Sequence, residues 1–379
     1  MKPPQYITPA PITEDEIAGA EKIRQIIDDI PDLFNTVFYL ARWWRAYDGD
    51  LDRIKRNMKD LFDHRRALAY DCIETQLLQT KLEIAKKTFE ITKVIPFSYV
   101  IHSYFIAQEA FTRAQLEVEK ATGTPAIVVS ILDLSEVNTT ALLNPLSVSA
   151  HFVRLIVKIW ADYFAETQAK LFLVNSPALL NIMGQIAKLL VDKSTQSRLH
   201  FLHQPTDLMK YLNPKLVPAM YGGEWYDESG YAEKPELICQ KPLKIEPEHY
   251  YNCDLLWQKY GYTNIPPKHT ELIKRKETFE IQKICTTDSQ ILLWHFTVNS
   301  DIEFSIIKIE NDNEQIVWPK ITLRSLRTPE QGSIICKHGK YIVRFTNLSK
   351  FFIPIKLQYV IELCTNNEYM NVAENKTNS

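Results

Sequence analysis

The sequence predicts an α/β fold joined to an all-β one, and three observations carry that reading. Residues 126–134 form an apolar run, and a second apolar run fills 171–174. Between them 145–166 repeats at the helical period, with Phe152, Leu155, Ile156, Ile159, Trp160 and Tyr163 on one side. Strand, long helical crossover and strand imply parallel pairing. Beyond residue 268 the period changes to two, in short β-prone runs at 291–298, 302–309, 315–318, 340–346 and 355–363. Polar turns separate these runs, as in an antiparallel sandwich. From Thr13 to Arg66 the pattern is helical, in three segments.

The elements follow in order. Residues 1–12 carry four prolines and read as a flexible arm. Thr13 and Glu16 fit a capping box, which opens a helix to about Ile30, where Pro31 stops it. A second helix covers 32–47, apolar at Leu33, Val37, Leu40, Ala41 and Trp44. After the turn Asp48-Gly49-Asp50, a third covers 51–66. It is apolar at Leu51, Ile54, Met58, Leu61 and Phe62, and Arg53, Lys55, Arg56, Lys59, Arg65 and Arg66 elsewhere on it read as a solvated face or as a lipid-headgroup patch. Residues 93–97 are a candidate strand, and 98–121 is a long helix stopped by Thr122-Gly123-Thr124-Pro125. The strand runs 126–134 and 171–174 are apolar enough to be buried on both faces.

A helix over 178–192 then has a wide apolar side: Leu179, Leu180, Ile182, Met183, Ile186, Leu189 and Leu190. That side spans more than the usual stripe of ~100°, so a core helix and a movable lid both fit. A third apolar run at 199–202 and a short helix at 206–212 lead to the turn Leu216-Val217-Pro218-Ala219-Met220-Tyr221-Gly222-Gly223. Residues 233–267 read as a surface connector and 366–379 as a disordered polar tail.

Composition narrows the function. The net charge of −2 gives no field for nucleic acid. The six cysteines form no CxxC pair, which predicts free thiols, no zinc and a reducing, cytoplasmic setting. No uninterrupted apolar run reaches membrane-spanning length. The nine histidines are dispersed, and no nucleophile elbow, P-loop or HExxH stands in the chain. With no convergent acid, base and nucleophile, the reading is a carrier without cofactor or metal, not an enzyme.

Three markers in order resemble the CRAL-TRIO lipid-binding family. They are the strand end Asp133-Leu134, the strand Leu171-Phe172-Leu173-Val174 running to Pro177, and the turn from Leu216 to Gly223. The segment Arg42-Trp43-Trp44-Arg45-Ala46 resembles the signature of the helical module that precedes this domain. Leu293-Trp294-His295-Phe296 and the strand from Gly339 to Asn347 resemble a GOLD domain. This order is that of the supernatant protein factor, or tocopherol-associated, subgroup. The implied organisation is an N-terminal three-helix module (13–70), a CRAL-TRIO α/β domain with a mainly parallel sheet (71–232) and a GOLD-like sandwich (268–365).

The resemblance also implies a site. A phosphoinositide-type phospholipid would meet Glu166, Thr195 and Arg198 with its headgroup. Its chains would lie on Leu132, Phe172 and Val174. The helix 179–190 would act as a gate through Leu179, Met183, Ile186 and Leu190. The implied activity is lipid binding and transfer between membranes, with transient membrane contact and a possible protein partner for the GOLD-like part. Two alternatives stay open: a carrier of a neutral lipophile such as a tocopherol or isoprenoid, and an adaptor working through the GOLD-like surface.

Overall fold

A computed structural model describes residues 6–70, 93–135, 144, 147–164, 166–175, 197–225, 246–349 and 352–365. The chain divides into two compact units. One takes Met1–Phe62, Glu74–Phe89 and Tyr104–Leu243; the other takes Asp63–Ile73, Glu90–Ser103 and Lys244–Ser379.

The first unit begins with helices α1 (Glu14–Ile26) and α2 (Val37–Ala46) and most of α3 (Leu51–Ala67). The capping box at α1 is present: Glu16 N–H donates to Thr13 Oγ1, and Thr13 N–H donates to the Glu16 carboxylate. Gly19 lets α1 lie against α2, because a Cβ there would sit 2.2 Å from Trp44 Cδ2. The expected single helix over 32–47 is two pieces, a 3-10 turn at Asp32–Phe34 and then α2. Thr36 breaks it by capping α2, accepting from Tyr39 N–H at 3.2 Å.

Two further expectations change here. The N-terminal arm is held at Ile7, whose N–H bonds Tyr211 O at 2.9 Å and whose side chain packs on an apolar cluster of this unit. In α3 Arg65 is buried with Ile54, Met58 and Leu61, because spacings of four, three and four put all four on one stripe.

The long helix α4 spans Phe97–Thr122, and α5 (Val148–Tyr163) crosses between β1 (Val128–Asp133) and β2 (Gln168–Val174). With β3 (Leu199–Phe201) these strands make a parallel sheet in the order β1-β2-β3. Residues 93–97 are not a strand. Pro96 breaks the run, Lys93 O accepts Tyr251 N–H at 2.8 Å, and Ile95 O accepts the Thr328 hydroxyl at 3.1 Å. No helix among the described residues is long and apolar enough to cross a membrane.

Among the described residues the second unit is built on eight antiparallel strands. They are β4 (His269–Ile273), β5 (Thr278–Cys285), β6 (Gln290–Val298), β7 (Ile302–Glu310), β8 (Asn313–Leu323), β9 (Glu330–Cys336), β10 (Gly339–Thr346) and β11 (Ile355–Cys364). They form two sheets, β5-β10-β7-β8 and β4-β11-β6-β9. Aromatic rings join the sheets: Phe296 lies 4.9 Å from Phe304 and 5.0 Å from Phe345, and Trp294 lies 4.8 Å from Trp318. The second half of the expected connector belongs to this core. Helix α6 (Asp254–Lys259) buries Trp257 completely against Ile291, Leu293 and Val360.

Candidate functional site

The parallel sheet sorts its side chains by the two-residue period of a strand. Ile131 pairs with Phe172, Leu132 with Leu173 and Asp133 with Val174. Neighbours in register share a face, so Val129, Ile131, Phe172 and Val174 point one way. There they meet Leu208, Leu212, Val217 and Tyr221 in a closed cluster in which Phe172 and Val174 are fully buried. Leu132 points the other way, with Leu171 and Leu173, and is 47% exposed. The three apolar positions expected to carry the lipid chains, Leu132, Phe172 and Val174, therefore do not share a face. Phe172 and Val174 are packing residues, and Leu132 stands on the other face beside the buried Leu173. Apolarity along a strand does not say which face is covered.

The face of Phe172 and Val174 ends in a polar clasp at the carboxyl end of β1. The Asp133 carboxylate accepts from Ser135 N–H at 2.9 Å, Asn175 Nδ2 at 2.9 Å and the Tyr221 hydroxyl at 3.1 Å. Burial disfavours its charge, yet these three donors hold its pKa below the ordinary value. Asn175 takes a left-handed backbone, φ 51°, to make this contact. The turn carrying Tyr221 is held as tightly. Gly222 has φ 87°, and a Cβ on Gly223 would lie 2.0 Å from Val217 O. The two glycines and the tyrosine of the turn thus serve one purpose: they lay Tyr221 on Asp133.

A second polar group surrounds Glu166. Arg198 is buried and pairs with it directly. Arg45 approaches Glu166 at 3.8 Å while bonding Glu16 at 2.6 and 2.9 Å. Arg42 forms a buried pair with Glu119, its nitrogens at 2.5 and 3.3 Å from the two oxygens. Burial raises the Glu166 pKa, and Arg198, Arg45 and Arg42 pull it back down in that order. Lys170 Nζ donates to Ser197 O at 2.8 Å, and burial followed by Arg198 lowers its pKa. A cleft of about 20 Å³ opens beside Glu166, lined by Tyr39, Arg42, Trp43, Tyr163 and Phe164 among others. That is room for about one water, not for an acyl chain.

The structure therefore brings Glu166 and Arg198 together. Thr195 and the gate positions Leu179, Met183, Ile186 and Leu190 lie outside the described residues. Arg42, Arg45 and Lys170 join the Glu166 group without having been expected there. Arg42 and Arg45 stand three apart on a helix, a spacing that puts both on one face. Among the described residues no group of three or more His, Cys, Asp or Glu is placed to hold a metal.

Residues 79–223 match the family model of the CRAL/TRIO domain, so the chain carries such a domain. Two CRAL-TRIO domain-containing proteins of Caenorhabditis elegans are similar along their length. One is 24% identical, over 95% of this chain and 98% of the relative. The other is 21% identical, over 94% and 93%. The crystal structure of Sfh5 shares 14% identity over 64% of this chain and 92% of its own, with a TM-score of 0.36, too loose a superposition to bear on the reading.

Proposed function

We propose that this protein binds one lipophilic molecule in its CRAL/TRIO domain and transfers or presents it between membranes, without catalysis. The observation that carries the reading is the domain match over 79–223, spanning a parallel sheet with a face on which the apolar Leu132 is half-exposed. Burying a lipid chain on such a face returns about 25 cal/mol for each Å² of apolar area removed from water. In this reading the helix 179–190 is the gate, opening at a bilayer to load or release cargo. The two-sheet unit is a GOLD domain that offers its surface to membrane or protein, and the chain is peripherally membrane-associated.

The headgroup proposed is a phosphoinositide type. Glu166 is costly to keep charged where it is, so a phosphate that arrives at Arg198 replaces a strained partner with a better one. A guanidinium bonds phosphate in a bidentate fork. The closed Glu166–Arg198 pair also favours a second reading, a neutral lipophile such as a tocopherol or isoprenoid, which leaves that pair intact.

Native mass spectrometry of the protein purified from its own cells separates these readings. An inositol phospholipid supports the first, a neutral lipid the second, and an empty protein supports an adaptor working through the two-sheet unit. Transfer assays then test the site. Arg198→Ala combined with Glu166→Gln removes both charges, so no buried carboxylate is left unpaired. Inositol-lipid transfer should fall about tenfold or more, for a charged hydrogen bond worth ~1.5–3 kcal/mol, while neutral-lipid transfer is unchanged. Equal transfer of inositol lipid by both proteins refutes the phosphoinositide reading.

A further inference from the structure

We propose that one end of the two-sheet unit is a membrane-docking tip, formed by the β4–β5 turn and by Leu348, Phe352 and Ile353 between β10 and β11, that takes an anionic phospholipid surface. The inference deepens the carrier reading, since a carrier must stop at a bilayer, but the tip lies outside the CRAL/TRIO domain.

The base of the tip is rigid. Asn347, wholly buried, ties the two loops together: its Nδ2 donates to Ile273 O at 2.9 Å, its N–H to Glu277 O at 3.0 Å, and its carbonyl accepts Lys276 N–H at 2.8 Å. From this base Leu348, Phe352 and Ile353 stand out, 61%, 85% and 74% exposed. Folding leaves these large apolar side chains in water at one place, which marks an interaction surface. The turn beside them reads Lys274-Arg275-Lys276-Glu277. The Arg275 guanidinium lies over the Phe352 ring at 4.7 Å. Lys274 and Lys276 are exposed, and the Glu277 carboxylate is turned back to accept Lys274 N–H at 2.6 Å.

Apolar side chains at a projecting tip with cations around their base match the layering of a bilayer surface. Phe352, Ile353 and Leu348 reach the acyl boundary while the lysines and Arg275 stay among anionic headgroups. A protein partner fits less well. A stable protein interface covers about 800 Å² on each side, and three side chains offer far less.

Flotation of the full chain with vesicles tests the tip. Wild type should float with phosphatidylcholine–phosphatidylserine vesicles and much less with phosphatidylcholine alone, and high salt should weaken it. Lys274→Gln with Lys276→Gln should lower the affinity for anionic vesicles about 25-fold, roughly fivefold for each charge lost. Phe352→Ser with Ile353→Ser should lower it about tenfold or more at any salt. All four side chains are exposed, so both double variants should keep the wild-type unfolding midpoint. If one pair disturbs folding, the other pair decides alone. Wild type that ignores phosphatidylserine, or a folded variant pair that floats as wild type does, overturns the proposal. Cargo is read in the same samples by mass spectrometry. Lost flotation with cargo retained fails neither reading, whereas flotation of an empty protein fails the carrier reading and leaves the tip standing.

Discussion

Glu330 is the carboxylate whose ionisation should most alter the second unit. It opens β9, is fully buried, and accepts two N–H groups at the start of α4, from Phe97 at 3.0 Å and Ser98 at 3.1 Å. These are donors that a helix start leaves without partners of its own. Burial pushes its pKa from 4.5 up to about 7, against the opposing pull of Ser98 and Phe97. In the folded chain Glu330 keeps its proton to about pH 7, whereas in the unfolded chain it loses it near 4.5. The folded state binds more protons between those values, so stability falls as pH rises through the window. At about 1.4 kcal/mol for each factor of ten, the loss is ~3 kcal/mol.

Glu330→Gln keeps the shape and removes the titration. It offers one carbonyl to two donors, which should cost about 1 kcal/mol at pH 5, where wild type is neutral. By pH 8 wild type holds a buried charge, and the difference should move about 3 kcal/mol in the variant's favour. The phenols Tyr99 and Tyr251 face this charge and stay protonated throughout, because burial raises both. His102, wholly buried with its pKa lowered to about 3 by desolvation, runs oppositely and loses stability as pH falls below 6.5. Its effect is common to both proteins and cancels in the difference. Urea unfolding of the two full chains at pH 5 and pH 8 measures it. A difference that is the same at both pH values would refute the reasoning.

Two other outcomes follow from the first unit. Arg42→Ala strands the buried Glu119 carboxylate and should cost about 3–5 kcal/mol in thermal unfolding, whereas Arg42→Met with Glu119→Gln should recover most of it. Gly223→Ala pushes a methyl to 2.0 Å from Val217 O and should cost about 2 kcal/mol or more, while Gly123→Ala, with open space but φ +67°, should cost only the ~1 kcal/mol of a left-handed backbone.

Local signals were legible because their partners are close in the chain. The capping box of Thr13 and Glu16 spans three residues, and it formed as read. The β1–α5–β2 order followed from a change of period, and its parallel pairing from the length of the crossover. The strands that escaped notice are β4, β5 and β9, and all three sit at sheet edges. An edge strand has one neighbour and a solvent side, so it carries charge and loses the apolar signature of a central strand.

The candidate site shows the same division. Sequence alone put Glu166 ahead of the apolar run 171–174, Arg198 ahead of the run 199–202, and Tyr221 in a Pro/Gly turn. Tertiary structure decided which faces and partners they have. Register, not apolarity, separated Leu132 from Phe172. Asp133 found Tyr221 across 88 residues, Arg42 found Glu119 across 77, and Glu330 found Phe97 across 233. The physical reason is that hydrogen bonds and ion pairs need atoms within about 3 Å. Propensity and period act along the chain and cannot set such distances between segments far apart in it; packing does.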